Sequence, residues 1–321
     1  MALRRVLSGA SAVALLLGAL TACTPEPIVG IPDDSKSPGA VSLVVGTPKV
    51  PDGANPQEGA LLAQVYAQAL NAAGVKATVN RTAETQGALV SKLALGSVDV
   101  VPAYSRDALA ALAPAATAEG PQDVVESLKT SLPTEVGLLD ASKAEVNDAM
   151  VVTAVTAQKY QLKSISDLGK ICKQLIMGGS AAFKTNSRGL AGLGSDYNCV
   201  PGKYVPLAPN EQPNTDSVVW SLLSDEIQVA EIPVSSPAIE DNSLVVLTDP
   251  KQLLLPQNIV PLVAATKVPA QLQTVIDKVS AALTTQELTN LNRLSQDSQF
   301  GGLAGVARAW LVQQGLVKAS S

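Results

Sequence analysis

The chain has 321 residues, 23 of them basic and 28 acidic, with three cysteines, no histidine and a formal charge of −5. A hydrophobic content of 46% against 16% charged excludes a disordered chain, and with 3% aromatic residues the core must be built from Ala, Val, Leu and Ile. The lack of histidine removes Ser-His-Asp and Cys-His nucleophiles, the common zinc sites and imidazole acid–base chemistry. The acidic balance argues against nucleic acid, and neither a metal nor a cofactor is expected.

Residues 1–22 carry Arg4 and Arg5, then an apolar stretch through Ala14-Leu15-Leu16-Leu17, and close on small residues. This is the pattern of a bacterial export signal, too short and interrupted for a spanning helix. It ends Leu20-Thr21-Ala22-Cys23, which resembles the lipobox of bacterial lipoproteins. That resemblance implies a lipidated Cys23 as the mature N-terminus and an anchor on the outer face of the membrane. An ordinary signal peptide followed by a cysteine is the alternative. Residues 23–40 hold the lipidated cysteine and a proline-punctuated tether without apolar periodicity, reaching about 50 Å when extended. In an oxidising compartment Cys172 and Cys199 are expected to form one disulfide, contributing about 3–4 kcal/mol, the alternative being two buried thiols.

Beyond the tether, strand-like and helix-like stretches alternate. Val41–Gly46 reads as a buried strand, Glu58–Ala73 as a helix closed by Gly74, Lys76–Val79 as a strand, Gly87–Leu95 as a helix closed by Gly96, and Val98–Pro102 as a strand. This βαβαβ order predicts a parallel sheet with sites at the carboxyl ends of its strands. Helices over Asp107–Leu112 and Gln122–Leu132 precede a strand at Val136–Leu139. A strand at Met150–Thr153 then leads into helices over Ala154–Leu162 and Ser164–Leu168. Gln174–Gly179, Gln228–Ile232, Leu244–Leu247 and Ile259–Val263 read as strands, and Ser217–Leu223, Ala270–Leu283, Thr285–Leu294 and Gly305–Gln314 as helices. Trp220 and Trp310 sit among apolar neighbours at helical spacing and are expected in the core. So many βα units without a dividing linker predict an α/β protein of two lobes crossed twice by the chain. Lobe I comprises 41–152 plus 244–321 and lobe II 153–243, with the cleft between them as the ligand site.

Particular stretches extend this reading. Gln57-Glu58 with Leu62–Gly74, Gly96-Ser97-Val98-Asp99-Val100-Val101-Pro102-Ala103-Tyr104, and Ala182-Phe183-Lys184-Thr185-Asn186-Ser187-Arg188-Gly189-Leu190-Ala191-Gly192-Leu193 resemble, in order, segments of the osmoprotectant-binding proteins of the ProX and OpuCC type. Leu244–Pro250 with Asn258–Val263, and Val279–Asn292, continue the resemblance across most of the chain. It implies a type II periplasmic-binding-protein-like fold and no enzymatic activity. The role implied is that of the extracytoplasmic substrate-binding component of an ABC importer for glycine betaine, choline or carnitine, working with permease and ATPase subunits. Such solutes are held by ring faces, because a trimethylammonium group cannot donate hydrogen bonds.

The residues at the corresponding places set the candidate site. Tyr104 stands where the family has a tyrosine, followed by Arg106 and Asp107. Thr47 and Lys49 lie after the first strand, Asn147 at the first crossing, Thr185 and Asn186 before the glycine-punctuated run, and Ser235 and Gln257 near the return crossing. Elsewhere the aromatic positions hold other residues, Glu145–Met150 and Leu255–Asn258 among them. A small polar or zwitterionic solute is therefore expected. An envelope lipoprotein that keeps the fold as a scaffold or sensor partner is the alternative. No pair of acids stands out along the sequence as a hydrolytic site.

Overall fold

A computed structural model describes residues 27–28, 42–207 and 217–319. The export segment 1–22, Cys23 and the tether apart from Pro27 and Ile28 lie outside the described residues.

Strands β1 (Ser42–Pro48), β2 (Lys76–Glu84) and β3 (Val100–Tyr104) are linked by helices Glu58–Ala72 and Gln86–Ala94. β1 pairs in parallel with both β2 and β3, as the alternating order requires. Leu61, Leu62, Val65 and Leu70 on helix Glu58–Ala72 are fully buried, and they pack under helices Ala270–Ala282 and Leu303–Gln313. Helices Ser105–Leu112 and Pro121–Ser131 cover the other face around Leu89, Val101 and Leu128. Two short strands, β4 (Val136–Leu138) and β5 (Glu145–Val146), follow.

The chain then crosses into a second sheet made of β6 (Asp148–Val152), β7 (Ile176–Gly179), β8 (Lys203–Pro206), β9 (Val229–Pro233) and β10 (Val245–Val246), in the order β10-β6-β9-β7-β8. Its interior is built on Met150, Ile165, Met177 and Leu193. Cys172 and Cys199 are bonded there, with Cα atoms 5.2 Å apart. The last strand, β11 (Gln257–Ala264), returns to the first sheet and runs antiparallel to β3, β4 and β5.

Two expectations change. Lobe I was bounded at residues 152 and 244, but β6 pairs with β9 and β10, so 148–152 and 245–246 belong to the second sheet. The crossings fall at Asn147 and between β10 and β11. Trp310 is fully buried, its indole N–H donating to Glu287 Oε2 at 2.7 Å, whereas Trp220 is 68% exposed. The run after Ser180 holds the short helices Ala181–Thr185 and Gly192–Tyr197 on either side of a helical stretch, Ser187–Ala191, kinked at Gly189.

The chain also touches the first lobe a third time. After β9 it leans back through Ser235 and helix Pro237–Asp241 onto helix Thr285–Leu294 before re-entering the second sheet at β10. Arg293 pairs there with Glu240 at 3.1 Å and Asp241 at 2.9 Å.

Candidate ligand-binding cleft

A cavity of about 450 Å³ opens where the two lobes and both crossings meet, a volume suited to a small solute. Four of the segments around it carry acidic side chains. The first is the loop after β1, which Gly53, at φ +86°, turns so that Asp52 faces the cavity. Asn55 fixes that loop, its amide donating to Asn292 Oδ1 at 3.2 Å and Ser295 Oγ at 3.1 Å.

The second wall is the start of helix Ser105–Leu112, entered directly from β3. Its first amides need acceptors, and the Gln257 side chain supplies one: Oε1 accepts from Arg106 N and Asp107 N, each at 3.2 Å. Arg106 turns its guanidinium outward, donating to the carbonyls of Ala118 at 2.9 Å and Glu119 at 2.7 Å. Asp107 is left facing the cavity.

The third wall is the first crossing, where Asn147 and Asp148 line the cavity and Val234 N donates to Asn147 O at 2.9 Å. The fourth comes from the second lobe. Glu231, inside β9 and only 3% exposed, accepts from Ser180 N at 2.7 Å. A side chain at Gly179 would sit 2.4 Å from that carboxylate, so only glycine lets β7 approach it. The Ser180 hydroxyl accepts from Phe183 N and starts the helix that carries Phe183 into the cavity wall. Arg188 reaches across to Glu119 of the first lobe at 3.3 Å, an exposed pair of little energetic weight.

The cavity is electrostatically unusual. Burial, and then the neighbouring Glu231, push the Asp148 carboxyl well above the usual carboxylate range. Burial raises Asp107 and Glu231 as well, and the Asp52 charge adds to both. On the opposite side, burial and the nearby Arg188 lower the Arg106 guanidinium. Among the described residues no group of three acidic, cysteine or histidine side chains is placed to hold a metal ion.

Of the residues expected from the sequence, Lys49, Arg106, Asp107, Asn147, Asn186 and Gln257 line this cavity. The other four do not. Tyr104 is fully buried in the core, its hydroxyl donating to Glu58 at 2.9 Å. Thr47 is buried and donates to Asn80 O, Ser235 is buried and donates to Glu58 at 3.2 Å, and Thr185 faces solvent with its hydroxyl on Ala182 O. Sequence reasoning missed Asp52, Gln86, Asp148, Phe183 and Glu231. Glu231 left a trace, being a charge inside an otherwise apolar strand; Gln86 left none.

Two α/β lobes joined by crossing strands around a solute-sized cleft define a substrate-binding protein with a type II periplasmic-binding-protein fold. The comparisons with known proteins narrow this. Residues 53–313 match the family described as the substrate binding domain of the ABC-type glycine betaine transport system, and the chain belongs to that family. The fold is similar to a glycine betaine/carnitine/choline ABC transporter structure, at 20% identity and a TM-score of 0.73 over 84% of this chain and 98% of that one. It is also similar to apo YehZ from Escherichia coli, at 20% identity and 0.66 over 87% and 99%. Lactococcal OpuAC in its closed form with glycine betaine matches at 15% identity and 0.54 over 85% and 95%.

Proposed function

We propose that this chain is the extracytoplasmic substrate-binding component of an ABC importer. It captures a small polar or zwitterionic solute between its lobes and presents the closed form to permease and ATPase subunits. It performs no chemistry on the solute. The observation that carries this reading is the cavity of about 450 Å³ whose walls come from both lobes and both crossings, so that occupancy and lobe closure are one event. Membership of the glycine betaine transport family supports it. The export signal and the lipobox-like Leu20-Thr21-Ala22-Cys23 support an anchor through Cys23 on the outer face of the membrane; Cys23→Ser should release the protein into the medium.

A thermal-shift screen of betaines, choline, carnitine, amino acids and sugars tests the reading. A true solute at a hundred times its Kd should stabilise the fold by about 2.7 kcal/mol. A folded protein that no solute stabilises would instead point to an envelope scaffold.

A further inference from the structure

The lining of the cleft differs from a cage of aromatic rings. Asp52, Asp107 and Asp148 converge on the cavity from three separate segments, with Glu231 behind Ser180; Lys49, Arg106 and Arg188 line it as well, and among the described residues Phe183 is the one aromatic ring in the wall. A fully alkylated ammonium has no N–H to offer these carboxylates and would find a single ring face. Carboxylates are instead the natural acceptors of charge-assisted N–H bonds.

A second observation, independent of the acids, also calls for a ligand. Gln86 is only 5% exposed, lines the same cavity, and among the described residues has no hydrogen-bond partner for either its amide nitrogen or its amide oxygen. A buried amide left this way is costly unless a guest supplies both a donor and an acceptor. Asn147 Oδ1, buried on the same cavity wall and without a partner among the described residues, adds an acceptor. A metal ion would not meet these needs, because the acids are not grouped closely enough to coordinate one among the described residues.

We propose that the cleft takes an organic cation bearing N–H donors, a primary or secondary ammonium compound with further polar groups, in preference to a quaternary ammonium. This rests on the reading of the cleft as a solute site. The ammonium lies among Asp52, Asp107 and Asp148, and the polar remainder of the molecule reaches the Gln86 amide.

The test is calorimetric titration of the full chain with matched pairs that differ only in N-methylation: ethanolamine against choline, lysine against Nε-trimethyllysine, and putrescine against its bis-trimethylammonium counterpart. The N–H member of at least one pair should bind at least tenfold more tightly than its methylated partner. Asp107→Asn and Gln86→Ala should each weaken that binding tenfold or more while circular dichroism and thermal midpoint stay close to those of the parent. Equal or tighter binding of the methylated members overturns this inference and leaves the solute-binding reading standing. Unchanged affinity in both variants, with the N–H preference present, overturns the placement in this cleft. Absence of binding by every probe to folded protein overturns this inference, while the solute-binding reading falls only if the wider screen of betaines, carnitine and sugars fails too.

Discussion

At the residue scale, Glu58 shows how the buried polar groups set behaviour. It is fully buried on the helix that follows β1 and accepts from Tyr104 Oη at 2.9 Å, Ser235 Oγ at 3.2 Å and Asn292 Nδ2 at 2.7 Å. Burial outweighs those three bonds, and its carboxyl is raised above the ordinary glutamate range. The folded chain therefore binds this proton more tightly than the unfolded one does. Its contribution is complete below the unfolded pKa of about 4.3 and is lost as pH rises through the raised value. Glu58→Gln, whose amide can meet the same three partners once Tyr104 turns its hydroxyl to accept, should flatten the fall of unfolding free energy with rising pH. Glu58→Leu strands those partners and should cost about 3 kcal/mol, since each unsatisfied buried group costs roughly 1–3 kcal/mol. Denaturant titrations at several pH values read both effects. Glu58 itself was visible in sequence only as the start of a helix. Its role came from Asn292, 234 positions away, a distance no spacing pattern reports. The same limit explains Tyr104. Its place at a strand end was legible, but which face of the sheet its ring took was not. Of the cleft carboxylates Asp107 was legible, whereas Asp52, Asp148 and Glu231 were overlooked because they come from three other segments.

At the element scale, long segments with clear periodicity were legible and short ones were not. The helix from Glu58 was readable because its apolar residues recur on one face and a glycine closes it. Ala181–Thr185 has five residues, too few for a period, and only the Ser180 cap marks it. Helix Ser217–Leu223 failed as a guide to burial for the opposite reason. Its apolar residues run round the whole helix, so nothing in the pattern says that Val218 and Leu222 face in while Trp220 faces out. The sheet boundary was misplaced because β6 reads as an apolar strand whichever sheet it joins. Its antiparallel partners β9 and β10 decide the matter. The disulfide lies wholly within the second lobe, 27 positions apart in sequence. Reducing it should weaken that lobe by about 3 kcal/mol. Hydrogen exchange should show faster opening of β6, β7 and β9 while β1, β3 and β11 keep their protection.

At the scale of the whole molecule, the contacts between lobes divide into exposed and buried ones, and the two should respond differently to substitution. Arg293 with Glu240 and Asp241, and Arg188 with Glu119, are largely solvated pairs. Arg293→Ala should change stability by less than about 1 kcal/mol. Asn292 is 1% exposed and holds both Glu58 and the Ser235 carbonyl. Asn292→Ala should cost about 2 kcal/mol or more, measurable by thermal or chemical unfolding. The two-lobed plan was legible because alternating βα units too numerous for one sheet leave few arrangements, whereas its type II class came from the family resemblance and not from the pattern.

The return of the chain at Ser235 has a mechanical consequence. The two crossings touch where Gln257 pairs with Val146, and the returning segment is bonded to the first of them through Val234 and Asn147. Two crossings and one returning contact thus lie side by side between the halves, like a book bound along its spine. Such a binding permits the covers to swing apart but resists sliding or twisting of one across the other. Scattering profiles of the empty and filled protein should differ as a pure change in the angle between two rigid bodies.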